Sequence, residues 1–148
     1  MRYIVLFSIL LVFMLSACNK DKFNTTPSLK FKSVNTTQLH IGQILQFTLS
    51  FTDAEGDLTD SIYVQELVPG CNINHGFDDM YELPSFPTTK NQQGDLVVTF
   101  GYNSSGPYQN LQPGCPPAND TATFRFALKD KAQHVSDTVS SPQIIIYN

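Results

Sequence analysis

The chain has 148 residues and a formal net charge of −4, and 41% of its residues are hydrophobic. This length corresponds to one domain of ordinary size, which is large enough to bury a core. Because the balance is acidic and no run of lysine or arginine follows Lys22, nucleic acid is not an expected partner.

The first segment of the chain has the pattern of an export signal. Arg2 precedes an apolar run over residues 3–15, and the run ends in Leu15-Ser16-Ala17-Cys18. A positive residue, a short apolar region and a small-residue end are typical of a secretory signal peptide, and a membrane-spanning helix needs about 20 apolar residues. We therefore predict a signal peptide over 1–17. An uncleaved membrane anchor and an ordinary cleaved signal with an unmodified Cys18 are the two alternatives.

The residues at the end of this run resemble the lipobox of bacterial lipoproteins. The resemblance implies cleavage before Cys18 and attachment of acyl chains such as palmitate to that cysteine, which would hold the protein on a membrane. Residues 18–27 are rich in Lys, Asn and Thr and are predicted to form a flexible tether. Lys20-Asp21-Lys22 is similar to the charged tails of Bacteroidetes-type lipoproteins, which implies an outer-membrane or cell-surface location.

Residues 28–148 are predicted to form one all-β domain. Short runs of alternating apolar and polar residues stand between turn signals, and the clearest run spans 45–51. The predicted strands are 28–34, 43–52, 60–67, 95–102, 121–129 and 142–147, with a seventh near 80–83 or 134–139. About seven strands, each with one apolar face, predict an antiparallel β-sandwich of the immunoglobulin-like or fibronectin type.

Two cysteines remain once Cys18 is assigned to lipidation. Exported chains form disulfides, so we predict a bond between Cys71 and Cys115, with two free thiols as the alternative. Each cysteine lies in a long segment rich in proline and glycine, 69–94 or 101–119. In a sandwich, the end of the third main run and the start of the fifth lie at the same pole, which allows this bond.

Four acidic residues are predicted to meet at the opposite pole. Asp53, Glu55 and Asp57 follow the second main run, and Asp130 follows the fifth. Hard cations such as Ca²⁺ take six to eight oxygen ligands, which carboxylate-bearing loops supply. The motif Asp-x-Glu-Gly-Asp at residues 53–57 resembles the calcium loops of cadherin-like and bacterial sandwich domains. An acidic turn, in which Asp57 only caps backbone amides, is the other interpretation.

The same motif extends the resemblance to Bacteroidetes-type lipoproteins beyond the N-terminal segment. Together with Asp130-Lys131-Ala132 in the later turn, it is similar to short motifs in the immunoglobulin-like domains of those lipoproteins. The resemblance covers the layout of most of residues 28–147, but only these short phrases in sequence. It implies an envelope protein of this kind.

Five aromatic residues in or beside the two long segments are candidate ligand-binding residues. They are Phe77, Tyr81, Phe86, Tyr102 and Tyr108. Aromatic side chains on loops stack on sugars or anchor protein partners, but long loops also fold their large residues back over the core. Both interpretations stay open.

The chain carries no recognisable catalytic motif. Gly-x-Ser-x-Gly, His-Glu-x-x-His and a glycine-rich phosphate loop are all absent from the sequence. We therefore expect a non-catalytic, lipid-anchored envelope β-sandwich that serves as a binding or structural module, with Ca²⁺ as a candidate stabilising ion. One alternative is an accessory glycan-binding subunit of a surface polysaccharide-uptake system. The other is a small envelope hydrolase that uses a carboxylate pair such as Asp78 and Glu82.

Overall fold

The structure, a computed structural model, describes residues 24–58, 60–70 and 76–148. The predicted signal peptide, Cys18 and Cys71 lie outside the described residues. The strands are β1 (Ser28–Val34), β2 (Gln38–Leu39), β3 (Ile44–Asp53), β4 (Ser61–Leu67), β5 (Asp78–Glu82), β6 (Gln92–Gly101), β7 (Gln109–Asn110), β8 (Asp120–Lys129), β9 (Val139–Ser140) and β10 (Ile144–Ile146). Within the described ranges, no helix has the length and apolarity that crossing a membrane requires.

Two sheets pack face to face. One has the strand order β1-β3-β6-β7, and the other has the order β2-β10-β8-β4-β5 with β9 beside β8. Most neighbours are antiparallel, whereas β2 with β10 and β6 with β7 form short parallel pairs. The domain is therefore an immunoglobulin-like β-sandwich, as the alternating runs predicted, with two parallel pairs that the sequence did not indicate.

Alternation along the strands decides which residues enter the core. The inward-facing residues of β3 and β8 are fully or almost fully buried; they are Leu45, Phe47, Leu49 and Phe51, and Ala122, Phe124, Phe126 and Leu128. The ring of Phe47 lies 4.9 Å from that of Phe124 and 5.1 Å from that of Phe126, measured between centroids. Burying one such side chain contributes about 1.5–3 kcal/mol, so these rows fix the register of both sheets.

The last residues of the predicted tether already contact the domain. The carbonyl of Asn24 accepts a hydrogen bond from the N–H of Ala54 at 3.0 Å, and Pro27 is buried. Ordered contact with the sandwich therefore begins before residue 28, where the sequence placed the start of the domain.

Candidate functional sites

Two aspartates extend the inward-facing rows of the core strands. Asp53 ends β3 two residues after Phe51, and Asp130 follows β8 two residues after Leu128. Both aspartate side chains are fully buried. They lie at the same pole of the sandwich because β3 and β8 both end there.

Asp57 joins these two aspartates from the loop between β3 and β4. One carboxylate oxygen from each of Asp53, Asp57 and Asp130 lies within 4.8 Å of the other two. The structure thus brings together three of the four acidic residues that the sequence predicted to converge. Glu55 is exposed and stands outside this acidic cluster.

The loop that carries Asp57 is folded around the carboxylate of Asp53. Oδ2 of Asp53 accepts the backbone N–H of Gly56 at 2.7 Å and that of Asp57 at 3.1 Å. The carbonyl of Asp57 accepts the N–H of Lys131 at 3.3 Å, which ties the loop to the turn after β8. These bonds hold the three carboxylates close together in spite of their like charge.

Two oxygens of the acidic cluster have no hydrogen-bond donor among the residues that the structure describes. Asp53 Oδ1 and Asp57 Oδ1 are both buried and unpartnered among the described residues. Burial raises the pKa of Asp53, the amides of Gly56 and Asp57 lower it, and the charge of Asp57 raises it, with a net upward shift. A buried carboxylate oxygen without a partner is costly, and a hard cation would remove that cost.

His134 fixes the orientation of the third carboxylate. Asp130 Oδ1 accepts the backbone N–H of His134 at 2.7 Å, and Asp130 Oδ2 lies 3.0 Å from its Nδ1. A carboxylate oxygen has two lone pairs, so each oxygen of Asp130 keeps capacity for a cation. This role of His134 was not predicted from the sequence, although its four-residue spacing from Asp130 in a turn was a signal for it.

Three of the five predicted aromatic residues line a cleft on one side of the sandwich. This lateral cleft has a volume of about 510 Å³ and lies between β6 of one sheet and β5, with the segment after it, of the other. Tyr81, Phe86 and Tyr108 line it together with the core residues Ile62 and Phe100. Such a volume and an aromatic lining are typical of ligand-binding clefts.

The other two predicted aromatic residues serve the core. Phe77 packs with its ring 5.3 Å from that of Phe100 and 6.2 Å from that of Phe124. Tyr102 is only 2% exposed, so its ring presents almost no surface to a ligand. For these two residues the structure supports the packing interpretation.

The tyrosines at the cleft differ in their surroundings. Tyr108 is 39% exposed. Burial, followed by the nearby Asp79, raises the pKa of Tyr81 to about 12, so its hydroxyl stays protonated near neutral pH. Beside the cleft, Gln109 Nε2 donates to Asp79 Oδ2 at 3.3 Å and links β7 to β5.

Two further acids are buried toward the opposite pole. Glu66 lies in the inward-facing row of β4 and Asp120 begins β8, with exposures of 6% and 3%. Glu66 Oε1 and Asp120 Oδ1 have no partner among the described residues. Burial and then the charge of Asp120 raise the pKa of Glu66 to about 7. Glu66 shares its face of β4 with the buried Ile62 and Val64, and its burial was not predicted from the sequence.

The described member of the predicted disulfide lies near this second acid pair. Cys115 is half-buried and follows Gly114, whose backbone N–H donates to the carboxylate of Asp120. Cys71 lies outside the described residues, so its pairing with Cys115 stays a prediction.

The carboxylates considered for a hydrolase lie apart on one strand. Asp78 and Glu82 are both exposed and mark the two ends of β5. Four residues along a strand correspond to about 13 Å between Cα atoms. Glycoside hydrolases hold their two carboxyl groups about 5–9.5 Å apart, which is less than this separation of Cα atoms.

No protein-family model and no curated protein matches the chain. Among solved structures, the chain is similar to the sporulation control protein Spo0M from Bacillus subtilis, with 10% identity and a TM-score of 0.46 over 83% of this chain and 50% of that chain. It is also similar to a superoxide reductase (neelaredoxin) from Ignicoccus hospitalis, with 10% identity and a TM-score of 0.46 over 82% and 80% of the two chains.

A third similar structure is a Niemann-Pick type C2 protein from Japanese carpenter ant, with 10% identity and a TM-score of 0.44 over 84% of this chain and 98% of that chain. The present chain thus spans half the length of the Spo0M chain. At these identities the similarities concern the fold alone.

Proposed function

We propose that this chain is a lipid-anchored envelope protein whose β-sandwich is a non-catalytic binding or structural module stabilised by Ca²⁺. One observation supports the cation above all others. Asp53 is fully buried, and its Oδ1 has no partner among the described residues although it belongs to a cluster of three carboxylates. A divalent cation would compensate both the burial and the like charges.

Calcium fits this acidic cluster better than a transition metal does. The clustered side chains offer only carboxylate oxygens, which are the ligands of hard cations, whereas transition metals favour nitrogen and sulfur. Three carboxylates leave room for backbone carbonyls and water to complete a shell of six to eight oxygens.

A calcium titration tests the cation. We expect the melting temperature of the purified protein to rise with Ca²⁺, because a ligand at 100 times its Kd stabilises the fold by about 2.7 kcal/mol. Asp57→Asn should abolish the shift, and Asp57 is the suitable position because it is only partly buried. Glu55→Gln is the matched control and should keep the full shift. The absence of any shift at millimolar Ca²⁺ in the unaltered protein would refute the cation site.

The lipid anchor is supported by Leu15-Ser16-Ala17-Cys18 at the end of the apolar run. We propose that the mature protein begins at Cys18 and is held in the outer membrane or on the cell surface by acyl chains. Mass spectrometry of the native protein should show an acylated Cys18 as the first residue. A protein that still carries Met1, or an unmodified Cys18, would contradict the anchor.

Glycan binding is a second candidate function, favoured by the exposure of Tyr108 at the lateral cleft. If a polysaccharide is the ligand, a gel that contains it should retard the protein. Tyr108→Ala should then lower the affinity measured from this retardation by at least about fivefold, since one stacked ring contributes about 1 kcal/mol or more. Tyr63→Ala, on the other side of β4 from the buried Ile62 and Val64, is the matched control. Equal retardation of both variants and the unaltered protein would remove this candidate.

A further inference from the structure

We propose that the lateral cleft accepts an extended segment of a partner protein, which adds as a new strand to the free edge of β6. This inference goes beyond the proposed function: it is an alternative to glycan binding at the same cleft, and it does not depend on the acidic cluster or on the lipid anchor. It rests on the pairing of β6, on the lining of the cleft and on the charges around it.

From Asp95 to Thr99, no described strand pairs with the edge of β6 that faces away from β3. β6 pairs with β3 along its whole length, but with β7 only at Phe100 and Gly101. No other strand in the described part of the chain pairs with it. An unpaired strand edge presents backbone donors and acceptors that are a template for another strand.

The hydrogen bonds at the end of β6 show which residues point to this free edge. Tyr102 donates its N–H to the carbonyl of Gln43 on the β3 side, at 2.9 Å, and the carbonyl of Gly101 accepts the N–H of Leu111 on the opposite side, at 2.7 Å. Backbone groups of successive residues in an antiparallel pair alternate between the two sides. The odd-numbered residues Asp95, Val97 and Thr99 therefore direct their backbone groups away from β3.

The cleft beside this edge suits the side chains of an extended peptide. Asp95, Val97 and Thr99 line the cleft along with the aromatic side chains of Tyr81 and Phe86. Side chains of an added strand alternate between its two faces. One set would enter the gap between the sheets, and the other would lie on the outer face beside Val97, which is 56% exposed.

The charges at the cleft favour a cationic partner. Glu82 and Asp95 are the charged residues that line it, and both are acidic. Lys32 pairs with Asp95 at 2.6 Å, which leaves Glu82 to attract a positive side chain. The carboxylate of a fatty acid would be repelled by these acidic residues. A neutral apolar molecule would offer no groups that hydrogen-bond to the backbone of β6. An extended segment that alternates apolar residues with lysine or arginine would fit the unpaired backbone of β6, the apolar lining of the cleft and the charge of Glu82.

Synthetic peptides test the proposal directly. The probes are acetylated, amidated peptides of about eight residues in which valine or phenylalanine alternates with lysine. Each has a control that is N-methylated at every second residue, which removes the backbone donors but keeps the side chains. We expect fluorescence anisotropy to show at least about tenfold weaker binding of the methylated probe. Hydrogen exchange should show new protection of the Val97 and Thr99 amides.

Protein variants distinguish the contribution of backbone pairing at β6 from that of the charge on Glu82. Glu82→Gln should weaken binding about two- to fivefold and reduce its dependence on salt. Val97→Pro removes one backbone donor of the free edge and should abolish binding, whereas Val97→Thr keeps the donor and should bind normally. The methylated probe makes the test independent of whether Val97→Pro folds.

Several results would overturn the proposal. They are equal affinity of the methylated and unmethylated probes, no binding of any probe up to about 1 mM, displacement of the probes by dodecanoate without protection of the Val97 and Thr99 amides, and pairing of β6 with a second copy of this chain. Binding should be the same in EDTA and in Ca²⁺, and Asp57→Asn should not change it. Failure of this inference is thereby distinguishable from failure of the calcium proposal.

Discussion

Gly56 packs against the backbone carbonyl of Thr89 so closely that a Cβ atom on Gly56 would overlap its oxygen. The contact joins the loop that carries Asp57 to the segment that precedes β6. Gly56 also has a φ of 72°, a conformation that other residues adopt at a cost. Position 56 therefore requires glycine for two reasons: its backbone conformation, and the close approach of the Thr89 backbone.

Replacing Gly56 by alanine should destabilise the fold strongly. The left-handed conformation alone costs about 1–2 kcal/mol, and displacement of the Thr89 backbone should bring the total to about 3 kcal/mol or more. Gly42→Ala is the matched control, because Gly42 has a φ of 85° with no atom near the position of a Cβ. Urea unfolding should show a clearly larger loss for Gly56→Ala, and equal losses would contradict the packing argument.

Glu66 should make the stability of the domain depend on pH. Burial raises its pKa in the folded protein to about 7 from the ordinary value of 4.5, so the folded state binds the proton more tightly. Stability should therefore be greatest below about pH 4.5 and should fall, by about 3 kcal/mol at most, as the pH rises to about 7. Glutamine cannot ionise, so Glu66→Gln should be more stable than the unaltered protein at pH 8.

The measurement is urea unfolding at several pH values between about 5 and 8. The difference in unfolding free energy between Glu66→Gln and the unaltered protein should grow across this range. Glu82→Gln, which replaces an exposed glutamate on β5, is the control and should follow the unaltered protein. A constant difference for Glu66→Gln would show that burial of the charge does not cause the pH dependence.

Two serines complete the hydrogen bonding of β8. Ser136 Oγ accepts the N–H of Leu128 at 2.9 Å, and Ser141 Oγ accepts the N–H of Phe124 at 3.0 Å. Alanine at either position leaves a buried N–H without a partner, so Ser136→Ala and Ser141→Ala should each cost about 1–3 kcal/mol. Ser140→Ala, at an exposed position, should be nearly neutral. Losses below about 0.5 kcal/mol for both buried serines would contradict this role.

The proposed disulfide between Cys71 and Cys115 should stabilise the domain by up to about 4 kcal/mol, because it closes a loop of about 45 residues in the unfolded chain. We expect mass spectrometry after alkylation without reductant to find both thiols protected. Reduction should lower the melting temperature, and Cys71→Ser should show the same loss without reductant. Alkylation of both cysteines in the native protein would refute the bond.

Most of the fold could be predicted from the sequence because the core strands alternate strongly. β3, with Leu45, Phe47, Leu49 and Phe51 all inward, was predicted almost to its ends. The strand near 80–83 is confirmed as β5. β2 and β7 have two residues each, too few for a periodic signal. The pairing of β2 also depends on β10, which is distant in the sequence.

The candidate sites were predictable only in part. Strand topology placed Asp53, Asp57 and Asp130 at one pole, but it could not show that the loop turns Glu55 outward. Aromatic residues were recognisable, whereas the separation of Tyr108 in the cleft from Tyr102 in the core depends on tertiary packing. The same packing buries Glu66 on the inward face of β4, in line with the alternation of that strand.

The position of β10 has a consequence for how the domain is assembled. This three-residue strand lies between β2 and β8 and pairs with both of them, although β2 is separated from it by more than 100 residues of sequence. During synthesis, residues 38–39 must wait for Ile144–Ile146 before their strand has a described neighbour. Completion of this sheet is therefore a late event, and a nascent chain that lacks its last residues would present an unfinished sheet to chaperones.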